Sequence, residues 1–220
     1  MNNFYPDLIV EVTGACNRAC PGCYAPNLVT NKTPKQIYEE NPGLFLTLSK
    51  LNDGFNQMPA YPYITAIRGG EPTLHPDLPS LLLISHRKSR IVMLETHGRW
   101  LLPKNIADHA NLIKAIKQYD ITVKISFDQM HGLSVEKLKK ITDALEDQGI
   151  QYRIAITEKD ILQGFETRKL CYWVKDQDII FQWKAETAKE LVEPSLGVIN
   201  VKGEFKMSVT SKFKAYEVAL

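Results

Sequence analysis

Cys16, Cys20 and Cys23 fall within eight residues, in the string ACNRACPGCY, just after the β-branched run Leu8–Val12. The C-x3-C-x2-C spacing offers three thiolates from one short loop. That is a donor set for a [4Fe–4S] cube whose four irons each take an outer ligand, so one iron is left without a protein partner. An iron open at one corner is a place for chemistry.

Two simpler readings fit less well. The remaining cysteine, Cys171, lies far along the chain, and closely spaced cysteines in a 220-residue chain do not make a disulfide framework. Structural zinc usually takes two separated pairs of ligands, so a fourth donor has to come from a distant residue such as His75 or His97.

A second string, Arg68-Gly69-Gly70-Glu71-Pro72, follows the apolar run Tyr63–Ile67 and so stands at the carboxyl end of a second strand. Glycines carry no Cβ, tolerate positive φ and let a backbone approach a ligand closely. Glu71 and the carbonyls beside it can accept hydrogen bonds from an ammonium group.

Together these strings resemble the radical S-adenosylmethionine superfamily, most closely the branch reading GGEP-T-L-H-P, here Gly69 to Pro76. The resemblance implies that Cys16, Cys20 and Cys23 hold a [4Fe–4S] cluster and that S-adenosylmethionine chelates the open iron. Gly69, Gly70, Glu71 and Pro72 then recognise its amino group. Reductive cleavage gives methionine and a 5′-deoxyadenosyl radical that removes a hydrogen atom from a small-molecule or peptide substrate, with an electron donor such as flavodoxin or ferredoxin. The cofactor carries the hard chemistry and the protein orients it. Ile121–Asp128 looks like the family's fourth strand, which maps Ser126 and Asp128 onto the cofactor's carboxylate and ribose hydroxyls. His97 departs from the Thr-Asn-Gly turn common in this branch. Where many members place an aromatic residue before the last cysteine to pack on adenine, this chain has Gly22, and Tyr24 is the candidate replacement.

Six runs rich in β-branched and aromatic residues read as strands: Leu8–Val12, Tyr63–Ile67, Ile91–Leu94, Ile121–Phe127, Tyr152–Ile156 and Ile179–Trp183. Helix-like stretches separate most of them, which predicts a parallel α/β sheet buried on both faces. In such sheets ligands bind at the strands' carboxyl ends, where all of these motifs fall. The expected fold, as in the family, is an open (βα)6 partial TIM barrel over residues 1–190. Residues 191–220 form a carboxyl-terminal extension with a β-hairpin around Lys202-Gly203 and no cysteine for an auxiliary cluster. Thr33-Pro34-Lys35-Gln36 reads as a capping box, with Asn41-Pro42 breaking that helix. Ser134 reads as an N-cap, with Val135, Leu138, Ile141 and Leu145 on one face and Gly149 at the end.

The 27 basic and 25 acidic residues leave +2, too little to attract nucleic acid or an anionic membrane. The longest pure aliphatic run, Leu81–Ile84, is far below a membrane span. The first ten residues lack the pattern of an export signal. An oxygen-sensitive cluster and free thiols point to the cytoplasm. Cys171 is a hydrogen donor, as in radical epimerases similar to the superfamily, or a small buried hydrophobe beside Tyr172 and Trp173; the second weighs more. Arg68 and Arg99 are candidates for holding a substrate carboxylate or phosphate, or for structural ion pairs. His131 is a candidate acid or base. Cys-Pro-Gly-Cys-Tyr is similar to activating enzymes of the anaerobic ribonucleotide reductase, which keeps a glycyl-radical activating role open as an alternative. A non-catalytic zinc or iron–sulfur module is the third.

Overall fold

The structure, a computed structural model, describes residues 6–20, 23, 28–127, 131–157, 179–182 and 197–207. Its strands are β1 (Leu8–Thr13), β2 (Ala15–Cys16), β3 (Leu28–Val29), β4 (Ile64–Gly69) and β5 (Ile91–Thr96), then β6 (Thr122–Ser126), β7 (Tyr152–Thr157), β8 (Ile179–Gln182), β9 (Gly197–Ile199) and β10 (Phe205–Met207). The α-helices are α1 (Pro34–Glu40), α2 (Leu48–Asn56), α3 (Leu78–Lys88), α4 (Ala110–Gln118) and α5 (Val135–Asp147). Every apolar run becomes a strand, and the main sheet has the order β10-β9-β1-β4-β5-β6-β7-β8. All of its pairings are parallel except β9 with β10. Helices stand between β1 and β4 and in each connection from β4 to β7. The stretches after β7 and after β8 lie outside the described residues.

Local signals set the helix ends. Thr33 caps α1 with the reciprocal Gln36 bond of a capping box, and Pro42 opens a 3-10 turn that separates α1 from α2. The Ser134 hydroxyl accepts from the Lys137 N–H at 3.4 Å, and Gly149, at φ 65°, ends α5 in the left-handed region. Leu138, Ile141 and Leu145 are fully buried on one face of that helix, each stabilising the fold by about 2 kcal/mol. Ser134→Ala is expected to lower stability by about 1 kcal/mol and the melting temperature by roughly 2–4 °C. An unchanged thermal transition would remove the cap from this account.

Side-chain alternation gives the sheet two unlike faces. Leu8, Val10, Val12, Ile67, Leu94, Val123, Ile125 and Ile154 join Leu51, Leu81, Ile116 and Leu138 of the helices in one apolar core. Ile9, Glu11, Arg68, Met93, Glu95, Lys124 and Arg153 occupy the alternate positions, on the face turned away from those helices. The expected hairpin is present, with Ile199 opposite Phe205 and Gly203 at φ 78°. β9 also adds to the sheet beside β1, and Ile199 fills the space above Gly54 so closely that a Cβ there would lie 2.9 Å away.

Candidate functional site

The carboxyl end of β1 runs straight into the cysteine loop, which leaves and returns through a short ladder. Ala15 pairs with Leu28 and Cys16 with Val29, in parallel. The Thr30 N–H donates to the Cys16 carbonyl at 2.9 Å, and inside the loop the Cys23 N–H donates to the Cys20 carbonyl at 3.1 Å. Cys16 is buried, Cys20 half-buried and Cys23 exposed, and none is in a disulfide. The Arg18 N–H points at Cys16 Sγ, 3.3 Å away. Burial pushes the Cys16 thiol up to about 11, with that N–H opposing the rise and Glu71 adding to it. Among the described residues no three His, Cys, Asp or Glu side chains converge on a point that one ion could occupy.

Gly69 and Gly70 bring a second segment against this loop. The Gly70 N–H donates to the Thr13 carbonyl at 2.7 Å and the Glu71 N–H to the Ala15 carbonyl at 2.8 Å. A Cβ on Gly69 would lie 2.3 Å from the Thr13 oxygen, and one on Gly70 would lie 2.1 Å from that of Ala15. What approaches the glycines is therefore the chain's own backbone, which ties the GGEP turn to the loop that carries the thiols.

From the sequence, Glu71 is a candidate acceptor for an ammonium group. In the structure it is 1% exposed and surrounded by donors. Oε1 accepts from the Thr73 N–H (3.2 Å), the Thr73 hydroxyl (2.7 Å) and the Thr96 hydroxyl (2.7 Å), and Oε2 accepts from the His97 N–H (3.2 Å). Burying a carboxylate is costly unless it is hydrogen-bonded in this way. Pro72 is buried and starts the 3-10 turn that follows.

His97 fastens the two motifs to each other. Its Nδ1 accepts from the Arg99 N–H at 3.2 Å, so Nε2 carries the proton and donates to Asn17 Oδ1, 2.8 Å away in the cysteine loop. Glu71 Oε2 lies 3.2 Å from the same Nε2. His75 has the same tautomer, accepting from the Asp77 N–H at 3.0 Å and donating to the Leu46 carbonyl at 2.8 Å.

Burial lowers the pKa of both rings, against the opposing pull of Glu71 on His97 and of the Leu46 carbonyl on His75. As pH falls below the ordinary histidine value of 6.5, the unfolded chain takes up protons that the folded chain refuses. This part of the stability is complete above that pH and is lost as pH drops towards the folded pKa. The melting temperature is expected to fall from about pH 7.5 to about pH 5.5, and to fall less in His75→Gln. Equal falls in parent and variant would refute the assignment to His75.

Arg18 and Arg99 form a second link. Both guanidinium groups donate through Nη2 to the His131 carbonyl, at 3.3 and 3.0 Å, and Arg99 Nη2 also reaches the Gly132 carbonyl at 2.7 Å. The Nε atoms of both arginines are buried without a hydrogen-bond partner. Ser126 ends β6, half-buried and in register with Ala155. Tyr24, Asp128 and Cys171 lie outside the described residues.

No protein-family model matches the chain. In sequence it is similar to the 7,8-dihydro-6-hydroxymethylpterin dimethyltransferase of Methanocaldococcus jannaschii, at 31% identity over 121 residues, 54% of this chain and 21% of that protein. In structure it is similar to anSMEcpe with bound AdoMet, with TM-score 0.52, 16% identity, and coverage of 82% of this chain and 54% of that one. The form of anSMEcpe that also holds the Kp18Cys peptide gives a TM-score of 0.51 at 16% identity, over 86% of this chain and 54% of that one. The chain shares the fold of anSMEcpe.

It spans about half the length of those solved structures and about a fifth of the methyltransferase. Within this fold, Cys16, the Gly69–Pro72 turn, Thr96-His97 and Ser126 all stand at the carboxyl ends of parallel strands. Of the residues that join them, Thr73 lies in the Gly69–Pro76 string and Thr96 in the turn with His97 and Gly98, whereas Asn17 and Arg18 carry no motif signal.

Proposed function

We propose that the chain is a radical S-adenosylmethionine enzyme with one [4Fe–4S] cluster, held by Cys16, Cys20 and Cys23. In this reading S-adenosylmethionine is cleaved to methionine and a 5′-deoxyadenosyl radical, which takes hydrogen from a small-molecule or peptide substrate. The observation that carries the proposal is the backbone stitching of the GGEP turn to the cysteine loop, through Gly70 to Thr13 and Glu71 to Ala15, at the carboxyl ends of a parallel sheet.

The residues present fit such a cluster. A single tetrahedral ion needs its ligands to converge, whereas in a four-iron cube each thiolate binds its own iron. Three thiolates make the site anionic, and the buried, unpartnered Nε groups of Arg18 and Arg99 supply opposite charge beside it. Bound there, the cluster supplies an electron and an open iron for the amino and carboxylate groups of S-adenosylmethionine.

The chain's own residues hold the geometry. Gly69, Gly70 and Pro72 shape the turn that meets the amino group, and Glu71, saturated by Thr73, Thr96 and His97, keeps that turn in place. Ser126 and Asp128 are assigned to the carboxylate and ribose and Tyr24 to packing on adenine, while Cys171 keeps its two readings, a small buried hydrophobe, which weighs more, and a hydrogen donor. A flavodoxin or ferredoxin is the proposed electron source. A peptide substrate draws support from the peptide held by anSMEcpe. No helix among the described residues is long and apolar enough to cross a membrane, and a cytoplasmic setting is part of the proposal. The test is anaerobic reconstitution with iron and sulfide, followed by reduction in the presence of S-adenosylmethionine. Formation of 5′-deoxyadenosine is expected, and a lone divalent metal with no cleavage defeats the reading.

A further inference from the structure

Arg18 and Arg99 are both half-buried, and both guanidinium groups converge on one acceptor, the His131 carbonyl. Like charges so placed repel each other. Burial lowers the Arg99 pKa, the nearby charge of Arg18 lowers it further, and Cys20 opposes the fall. Among the described residues no carboxylate forms an ion pair with either arginine. Their side-chain acceptors are the neutral carbonyls of His131 and Gly132, and the Nε–H of each is buried without a partner. An unbonded buried donor is costly, and more so on a charged group.

Anchoring a loop gives no reason for two charges. A neutral donor such as a glutamine amide would bond the His131 carbonyl without the repulsion. The position of the pair supplies the reason. Arg18 lies in the loop between Cys16 and Cys20, and its own backbone N–H donates to the Cys16 sulfur at 3.3 Å. Arg99 stands at the end of β5, near enough to Cys20 for an ionised thiol there to favour its charge. The shared carbonyl therefore fixes two positive charges beside the segment that carries the thiols.

We propose that Arg18 and Arg99 set the reduction potential of the cluster, raising it by holding two positive charges beside its thiolates so that the reduced form is stabilised. The inference rests on the enzyme reading above, which puts the cluster on Cys16, Cys20 and Cys23. Reduction brings one electron from the donor to the cluster, with no bond made or broken, so the site gains one negative charge. Net charge and hydrogen bonds to the sulfurs are among the factors that set such a potential. Half-buried charges act there with less screening by salt than exposed ones.

Reconstituted protein is titrated with dithionite in the presence of redox mediators, and the reduced cluster is counted by its electron paramagnetic resonance signal. At a fixed potential, Arg99→Gln is expected to lower the ratio of reduced to oxidised cluster about tenfold, which is about 59 mV for one electron. Arg18→Gln is expected to act in the same direction. Arg18→Lys and Arg99→Lys keep the charge without the guanidinium fork and are expected to lower the ratio much less. Should the Gln variants fail to take up the cluster while the Lys variants load, charge rather than shape decides, and the inference stands. Unshifted ratios in both Gln variants overturn it, as do Lys variants that fall as far as Gln or fail to load beside them. Cleavage of S-adenosylmethionine by the parent protein tests the enzyme reading separately. Cleavage with unshifted ratios sinks only the arginines' role, shifted ratios without cleavage sink only the enzyme reading, and a parent that takes up no cluster sinks both.

Discussion

Changing any one of Cys16, Cys20 or Cys23 to Ala is expected to abolish both iron binding and S-adenosylmethionine cleavage. In the proposed cluster each thiolate serves a different iron, so two ligands would not hold a cube whose remaining corner is kept open for S-adenosylmethionine. The three positions differ in how much the fold depends on them, and this separates lost chemistry from lost structure. Cys23 is exposed, so Cys23→Ala is expected to melt with the parent in the metal-free state while losing the cluster. Cys16 is a buried member of the β2–β3 ladder and its sulfur accepts the Arg18 N–H, so Cys16→Ala adds a modest cost of about 1 kcal/mol. The checks are iron content, the visible absorbance of the reconstituted protein, and chromatographic measurement of 5′-deoxyadenosine. Cleavage retained by Cys20→Ala would overturn the cluster assignment.

How far this site can be read from the sequence depends on the range of the interaction. The six parallel strands follow from runs such as Leu8–Val12 and Ile91–Leu94, because β-branched residues fit a pleated, two-sided core wherever they occur. The helix caps at Thr33 and Ser134 are equally local, as is the turn at Gly203. β4, by contrast, runs past the apolar stretch to Gly69, because Gly69 pairs with Thr13 more than fifty residues earlier. Glu71 shows the same limit. Its motif identifies it, but only folding brings Thr73, Thr96 and His97 around its oxygens and so turns an apparently available carboxylate into an internal brace. Arg18 looks like filler between two cysteines until its guanidinium is seen to share the His131 carbonyl with Arg99. Glu11, Arg68, Glu95, Lys124 and Arg153 fall one to a strand on β1 and β4–β7, in a row that no single stretch of sequence reveals. Its pattern exists only in the register.

Gly70→Ala is expected to be among the most destabilising single-methyl additions in the described structure. Its new Cβ would lie 2.1 Å from the Ala15 oxygen and 2.6 Å from the Ala15 carbonyl carbon, and both are backbone atoms with no rotamer to escape into. The strand end must move away from the cysteine loop, and the bonds from Gly70 N–H to Thr13 and from Glu71 N–H to Ala15 go with it. Overpacking together with two weakened hydrogen bonds costs about 3–4 kcal/mol, which lowers the melting temperature by roughly 10 °C in a chain of this size. Gly43 provides the matched control. A Cβ there meets nothing within 4 Å, so Gly43→Ala is expected to be neutral or slightly stabilising through the unfolded chain. Separation of the two segments should also uncover Cys16, raising the rate at which a thiol reagent modifies it in metal-free Gly70→Ala. If Gly70→Ala melts with Gly43→Ala and leaves Cys16 as protected as in the parent, the GGEP turn is not what seats the cysteine loop.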